Sequence, residues 1–295
     1  MPPSKPYRGR FAPSPTGPLH FGSLVAAVGS YVRTRAQGGT WLVRVEDIDP
    51  PREVAGAAAD ILETLAAFGM VADEPVVYQS AREAAYRRAF AALRERDLVF
   101  PCWCSRQDLL GTDGVHRGAC VAPPDRVRAP AWRLHVTDTT IRFDDLLQGP
   151  QSQKLLQEVG DFVIRRVEGW FAYQLAVVVD DADAGVTEVV RGCDLLDSTP
   201  RQIRLQQLLG LPTPAYLHLP LALDAHGAKL SKADHARPVD RSDPIPALHA
   251  ALAFLGIGCA DGGTPQAILE GAAARFEIAN LRPDSSRWSG AEQKP

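Results

Sequence analysis

The sequence predicts an α/β protein: an open, doubly wound parallel sheet, interrupted by a cysteine-rich insert and followed by a short helical region. Three observations predict it. Strand-like and helix-like runs alternate through the first hundred residues, the pattern of parallel strands joined by crossover helices. Regularity fails between about Phe100 and Pro130, where cysteine, glycine and proline cluster. Beyond that the alternation resumes and ends in a late helix.

Each element has its own local reason. RGRFAP reads as a short strand, and SLVAAVGSYVRTRAQGG follows with helical periodicity and a Gly-Gly stop. TWLVRV, from Thr40 to Val45, is β-rich and runs into Glu46-Asp47. EVAGAAADILETLAAFG is a second helix closed by Gly69, and EAAYRRAFAALRERD a third. FVIRRV and AYQLAVVVDD resume strand- and helix-like patterns; VTEVVRG is another strand and TPRQIRLQQLLGL an amphipathic helix. IPALHAALAFLG is the late helix, and SSRWSGAEQKP a loose tail. The expected division is 1–99 for the first half of the sheet and 100–130 for the insert. Residues 131–240 supply the rest of the insert and the second half, with the later lysine loop, and 241–295 the helical region. In such a sheet a ligand sits beyond the carboxyl ends of the strands.

Composition narrows the function classes. Of 295 residues, 45% are hydrophobic, enough for a substantial core. The net charge of −3 gives no global basic field, so any RNA contact rests on a local patch. The arginine-rich helix AREAAYRRAFAALRER, with Arg82, Arg87, Arg88, Arg94 and Arg96, is read as a solvated face because Glu83 and Glu95 are interleaved. No run of 18 apolar residues and no apolar leader are present, so a cytoplasmic protein without a membrane span is expected.

The stretch RFAPSPTGPLHFGSL is a stiff, donor-poor loop. Pro13, Pro15 and Pro18 stop the first strand from running into the helix. Gly17 and Gly22 allow close backbone approach, and a helix N-terminus favours phosphate. His20 stands just before that end, able to donate to a phosphoryl oxygen as charge develops there. More than two hundred residues later, GAKLSKADHA carries Lys229, Ser231 and Lys232, suited to a flexible phosphate clamp.

The insert carries Cys102 and Cys104, eleven residues, then His116 and, after three more, Cys120. Three thiolates and one imidazole make a closed tetrahedral zinc site, one structural ion per chain, with Gly111, Gly114 and Gly118 letting the chain fold back. Cys193 and Cys259 lie outside the cluster and are read as buried thiols.

With both loops in place, the chain resembles the class I aminoacyl-tRNA synthetases. HFGS looks like their HIGH signature, KLSKA like KMSKS, and RFAPSPTGPLHFGSL is similar to the glutamyl and glutaminyl branch over Arg10 to about Leu255. The resemblance implies a Rossmann-like catalytic fold and an ATP site. His20, Lys229 and Lys232 would be catalytic, and His20, Gly22, Ser231 and Lys232 would hold ATP with Mg2+. It also implies a glutamate pocket made of Arg10, Phe11, Ala12, Pro13, Ser14, Glu46, Tyr173 and Arg191. Glu46 would take the α-amino group, Arg191 with Tyr173 the side-chain carboxylate, and Arg10 another carboxylate oxygen.

Within that branch, RGCDLLDSTPRQIRLQQLLGLP and KLSKADHARPV resemble the glutamyl-Q tRNA(Asp) synthetases. About sixty residues follow Lys232, too few for the helical anticodon-binding domain of a glutamyl-tRNA synthetase. Glutamyl-Q enzymes carry a similar zinc site, often with tyrosine at the position of His116. The resemblance implies tRNA-independent activation of L-glutamate by ATP and transfer to queuosine at the wobble position of tRNA(Asp), by a monomer. Three rivals stand beside it: a truncated glutamyl-tRNA synthetase charging tRNA(Glu), a non-catalytic RNA-binding module, and a class I-like nucleotidyltransferase.

Overall fold

Strand β1 (Arg8–Phe11) lies parallel to β2 (Thr40–Val45), Arg8 opposite Thr40 and Phe11 opposite Val43. The computed structural model describes residues 6–125, 127–223, 237–258, 262–283 and 286–287, so Lys229, Ser231, Lys232 and Cys259 fall outside the described residues. Helix α1 (Phe21–Ala36) makes the crossover between the two strands. It starts two residues before its apolar run because His20 itself is the N-cap, and Gly38 in the left-handed region (φ 59°) turns the chain back toward β2. Helix α2 (Ala57–Ala67) leads to β3 (Val77–Tyr78), which pairs parallel with the end of β2.

Helix α3 (Glu83–Glu95) and β4 (Val99–Cys102) lead into the insert. Between Trp103 and Pro130 the described residues form no strand and one 3-10 turn, Leu110–Thr112. The chain returns in β5 (Ala131–Leu134), antiparallel to β4 with Cys102 opposite Ala131. Next come the hairpin β6 (Thr140–Asp145) and β7 (Gly149–Lys154), helix α4 (Leu155–Glu158), and β8 (Val163–Arg165) against β5. Helix α5 (Tyr173–Asp183), β9 (Glu188–Gly192), α6 (Thr199–Leu209) and β10 (Ala215–Leu219) form the second parallel unit, β9 and β10 in register from Glu188/Ala215 to Gly192/Leu219. β11 (Ala222–Leu223) pairs with β12 (Ser286–Arg287); α7 (Pro244–Leu255) and α8 (Pro265–Ala274) lie between them in the chain.

Among the described residues β4-β5-β8 and the β11-β12 pair are separate small sheets, and the central sheet is made of two halves, β1-β2-β3 and β7-β6-β10-β9. They meet where β1 passes β9, through the Thr187 amide donating to the Arg8 carbonyl at 3.0 Å. Strand order therefore reverses between β1 and β9, the switch point at which an open α/β sheet binds ligands. The sheet is covered on both faces, and strand alternation deals its side chains to each. Trp41, Val43, Val190, Leu217 and Leu219 join one core with α1, α7 and α8. Leu42, Val189 and Tyr216 join the other with α3, α5 and α6. The sequence expectation of a doubly wound sheet with a cysteine-bearing insert and a helical end describes this architecture.

Two smaller expectations need correction. Cys193 is half-buried, because it opens the turn at the carboxyl end of β9 instead of sitting within a strand. The arginines at α3 are not all solvated. Arg82 pairs with Asp180 and Asp183, and Arg96 donates to the Leu208 carbonyl, because α3 packs beside α5 and α6. Among the described residues no helix is long and apolar enough to cross a membrane.

Candidate active site

A cavity of about 970 Å3 opens at the carboxyl ends of β1, β2, β9 and β10. Of the residues the sequence picks out, Arg10, Phe11, Ala12, Pro13, Ser14, His20, Gly22, Glu46, Tyr173 and Arg191 line it, whereas Pro15, Gly17 and Pro18 do not. The loop is pinned by its own backbone. Glu46 N–H donates to the Pro13 carbonyl at 2.9 Å, Val54 N–H to Pro15 at 2.9 Å, and Gly17 takes φ 138°. His20 is buried, and its Nδ1 accepts from the Ser23 amide at 3.4 Å. That contact assigns the proton of a neutral ring to Nε2, leaving it a donor at the start of α1. The described chain returns beside His20 as well: Pro238 bridges to it, and Val239 N–H donates to the Leu19 carbonyl at 2.9 Å.

One side of the cavity is a cluster of buried, mutually compensating charges. Asp181 receives Arg10 Nε at 3.2 Å and Nη2 at 3.3 Å, and Arg44 Nη1 at 2.6 Å. Arg44 also donates to Glu46 at 3.1 Å, and Arg10 to the Val190 carbonyl at 3.2 Å. Burial alone would push the Asp181 carboxyl up, but Arg10 and Arg44 outweigh it and hold the pKa down at about 2. For Glu46 the balance goes the other way: burial raises its pKa, and Arg44 and Arg10 offset that only in part.

Arg191 lines the same cavity. Its Nε donates to His218 Nε2 at 3.0 Å, its Nη2 to Thr199 Oγ1 at 2.8 Å and the Leu195 carbonyl at 3.3 Å, and its Nη1 to the Tyr173 hydroxyl at 3.3 Å. Because Tyr173 accepts from the arginine, its own proton can point into the cavity. Burial raises the Tyr173 pKa, so that proton stays in place at neutral pH.

Sequence reading missed Arg44, Asp181, Thr199, His218 and Asp145. The signal was there for two of them: acids inside the apolar run AVVVDD and a histidine inside YLHL are the buried polar residues that call for partners.

The second candidate centre is in the insert. The ligand atoms of Cys102, Cys104, His116 and Cys120 all lie within 4.8 Å of one another. His116 Nε2 is buried without a hydrogen-bond partner, while Nδ1 is 2.9 Å from Asp161 Oδ2. Asp161 is itself fixed by the amides of Val136 (2.7 Å) and Gly118 (3.2 Å). A carboxylate behind an imidazole whose far nitrogen is orphaned is the support a zinc ligand needs. Arg133 Nε lies 3.2 Å from Cys102 Sγ, and the Ala122 amide, 3.5 Å from Cys104 Sγ, helps hold the Cys104 thiol below its ordinary pKa against burial, while burial and its two cysteine neighbours push Cys120 up to about 12. The local apolar core is Cys102, Cys104 and Leu109 with a few partly buried neighbours, too little to fold the segment unaided. These residues fit zinc, and four ligands leave no open position, so the ion would fold the insert and do no chemistry.

Comparison with known proteins agrees with this geometry. Residues 7–257 match the model of the class I (E and Q) tRNA synthetase catalytic domain. The chain is 57% identical over 271 residues to the glutamyl-Q tRNA(Asp) synthetase of Burkholderia cenocepacia, covering 88% of this chain and 91% of that one. It is 59% identical over 254 residues to the enzyme of that name from Xanthomonas axonopodis pv. citri, covering 86% and 84%. The crystal structure of a glutamate-tRNA synthetase from Elizabethkingia anophelis shares the fold at a TM-score of 0.82 and 24% identity, over 98% of this chain and 69% of that one. The chain therefore belongs to the class I tRNA synthetases of the E and Q type, a ligase family that uses ATP, and within them to the glutamyl-Q tRNA(Asp) synthetases.

Proposed function

We propose that this chain activates L-glutamate with ATP in the absence of RNA and transfers the glutamyl group to queuosine at the wobble position of tRNA(Asp), in the cytoplasm. The observation that carries the reading is the cavity at the switch point, whose lining brings together Arg10, Glu46, Tyr173, Arg191 and His20, with Arg191 donating to the Tyr173 hydroxyl. The names of the relatives support the choice of amino acid and of acceptor.

Glu46 holds the α-ammonium, and Arg191 with Tyr173 holds the side-chain carboxylate. Arg10 lies beside the α-carboxylate, steadied by Asp181. An oxygen of the α-carboxylate attacks the α-phosphorus of ATP, and pyrophosphate leaves. Positioning and electrostatics carry this step. His20 Nε2–H and the first amides of α1 meet the developing charge, joined by Lys229, Ser231 and Lys232 and by the Mg2+ that accompanies ATP. A hydroxyl of the queuosine cyclopentenediol then attacks the acyl carbon and AMP leaves. A splayed anticodon base is the readable kind of RNA. Cys102, Cys104, His116 and Cys120 would hold a structural zinc ion that stabilises the insert.

The test is glutamate-dependent ATP–pyrophosphate exchange without RNA, followed by transfer of labelled glutamate. Exchange without RNA, with transfer to queuosine-containing tRNA(Asp) alone, is the expected result. Exchange that requires tRNA(Glu), with charging of its 3′ end, would overturn it.

A further inference from the structure

The central strand β10 of the second half-sheet carries a histidine at 218, between Leu217 and Leu219, with no exposure to solvent. A buried polar ring in an apolar strand is costly unless every polar atom is matched. Both nitrogens of His218 are matched, and by the two strands that flank β10. On one side, Asp145 at the end of β6 places Oδ2 2.6 Å from Nδ1. On the other, Arg191 of β9 is the register partner of His218 and donates Nε to Nε2 at 3.0 Å. Asp145 is held in turn, its Oδ1 receiving the amides of Leu147 (3.1 Å), Gln148 (2.8 Å) and His218 (3.2 Å).

This row of three side chains has one consistent protonation. A guanidinium has no lone pair, so His218 Nε2 must be the acceptor, and the single ring proton sits on Nδ1 facing Asp145. Thr199 completes the frame, taking Arg191 Nη2 while lying 3.2 Å from His218 Nε2. The acceptors gathered round Arg191 are a neutral imidazole, two hydroxyls and a carbonyl, and among the described residues it makes no ion pair. A carboxylate in place of His218 would hold the guanidinium equally well but would cancel its charge. A neutral ring fixes the orientation and leaves the charge for a ligand. Asp145 stays one residue removed, fixing the tautomer without touching the arginine.

We propose that His218, locked by Asp145, is a positioning residue that aims Arg191 and keeps its charge uncompensated, so that the pocket selects a side-chain carboxylate over the corresponding amide. The inference rests on the assignment of Arg191 to the side chain of glutamate. Nη1 of Arg191 and the hydroxyl of Tyr173 then converge on the ligand as donors, a match for carboxylate oxygens and a mismatch for an amide NH2.

The test uses the full chain in ATP–pyrophosphate exchange, with glutamate and glutamine compared. His218→Leu removes the acceptor. It is expected to raise KM for glutamate about 10- to 100-fold, the range for a charged donor that loses its partner. KM for ATP should stay within about twofold, and the preference for glutamate over glutamine should fall. His218→Gln restores an acceptor and should recover most of the glutamate KM. Equal losses for both variants and all substrates, or an unchanged glutamate KM in His218→Leu, would overturn the proposal. Should the leucine variant not fold, 15N NMR of the wild-type imidazole decides: Nδ1–H with a bare Nε2 is expected, and a protonated Nε2 at neutral pH would refute it. Arg191→Ala, run in parallel, separates the two levels. Near-normal glutamate dependence there sinks the pocket assignment, whereas its loss there with an unaffected His218→Leu sinks only the positioning role.

Discussion

Asp181→Asn is the substitution whose consequences the structure defines most fully. Asp181 is the shared anion of two arginines: its side chain is 8% exposed, those of Arg10 and Arg44 3% and 5%. Asparagine keeps the shape and removes the charge. The local balance of Arg10 and Arg44 against Asp181 and Glu46 becomes two cations against one anion. Breaking a buried pair costs about 3–5 kcal/mol. Asp180, 3.7 Å from Arg44 Nε, still offsets part of that, so a loss near the lower end, about 3 kcal/mol, is expected. Against a typical total of about 5–15 kcal/mol this is a large fraction. Urea unfolding followed by fluorescence reads it, with Trp41 fully buried on the strand that carries Arg44. The pH dependence gives an independent sign. A carboxyl held at about 2 in the fold, below its ordinary 3.8, contributes stability that is fully present above pH 3.8 and is lost as the pH falls toward 2. The wild type should lose about 2 kcal/mol across that window, and the variant should lack this component. A destabilisation under about 1 kcal/mol with the wild-type acid profile intact would show that the two arginines are compensated elsewhere, and the charge cluster would be wrongly read.

Other outcomes follow from the same distances. Metal analysis should return one zinc per chain, lost in His116→Ala and in Cys102→Ser, with new proteolysis between residues 103 and 130; a metal-free, protease-resistant wild type would refute the site. Gly160→Ala should destabilise the insert by about 2 kcal/mol or more, since Gly160 has φ 64° and a Cβ there would lie 2.1 Å from the His116 carbonyl; urea denaturation measures it. Glutamate affinity should weaken as the pH falls through the raised pKa of Glu46, at a higher pH than for an exposed glutamate, because only the carboxylate holds an ammonium. Calorimetric titration across that range checks it, and Glu46→Gln should show weak binding with no such slope.

What the sequence makes legible here is what is local. Pro13, Pro15, Pro18 and Gly17 write their backbone geometry into a six-residue span, and the loop between β1 and α1 runs without helix or strand there. Cys102, Cys104, His116 and Cys120 are likewise close in the chain, so spacing alone brings them together. The supporting groups are different. Asp181 meets Arg10 across 171 residues and Arg44 across 137, and Asp145 meets His218 across 73. No periodicity encodes such pairings: in AVVVDD the acids merely end an apolar run, and their partners are chosen by how β1, β2 and α5 converge. Residues supplied by strand ends are readable, and the residues that hold them from a neighbouring strand or helix are not.

On the proposed reading, the division of charge between the Arg10 cluster and Arg191 explains how one pocket can be stable when empty and still selective. On the Arg10 side the guanidiniums are already paired with Asp181 and Glu46, so a zwitterionic α-amino acid group brings equal and opposite charges to a region that is close to neutral. Neither side then forfeits a compensated charge on binding. At Arg191 the charge is held in place, among the described residues, by neutral acceptors, and an incoming carboxylate gains an ion pair that none of those residues supplies. On the proposed reading, glutamine meets the first side as well as glutamate does and fails only at the second, where its amide leaves the buried guanidinium unpaired. The deficit of about 3–5 kcal/mol for such a charge corresponds to roughly 10^2- to 10^3-fold or more in kcat/KM. On that reading discrimination rests on Arg191, which has no carboxylate partner among the described residues, and adding an acid beside it, as in Thr199→Asp, should lower the affinity for glutamate more than that for glutamine.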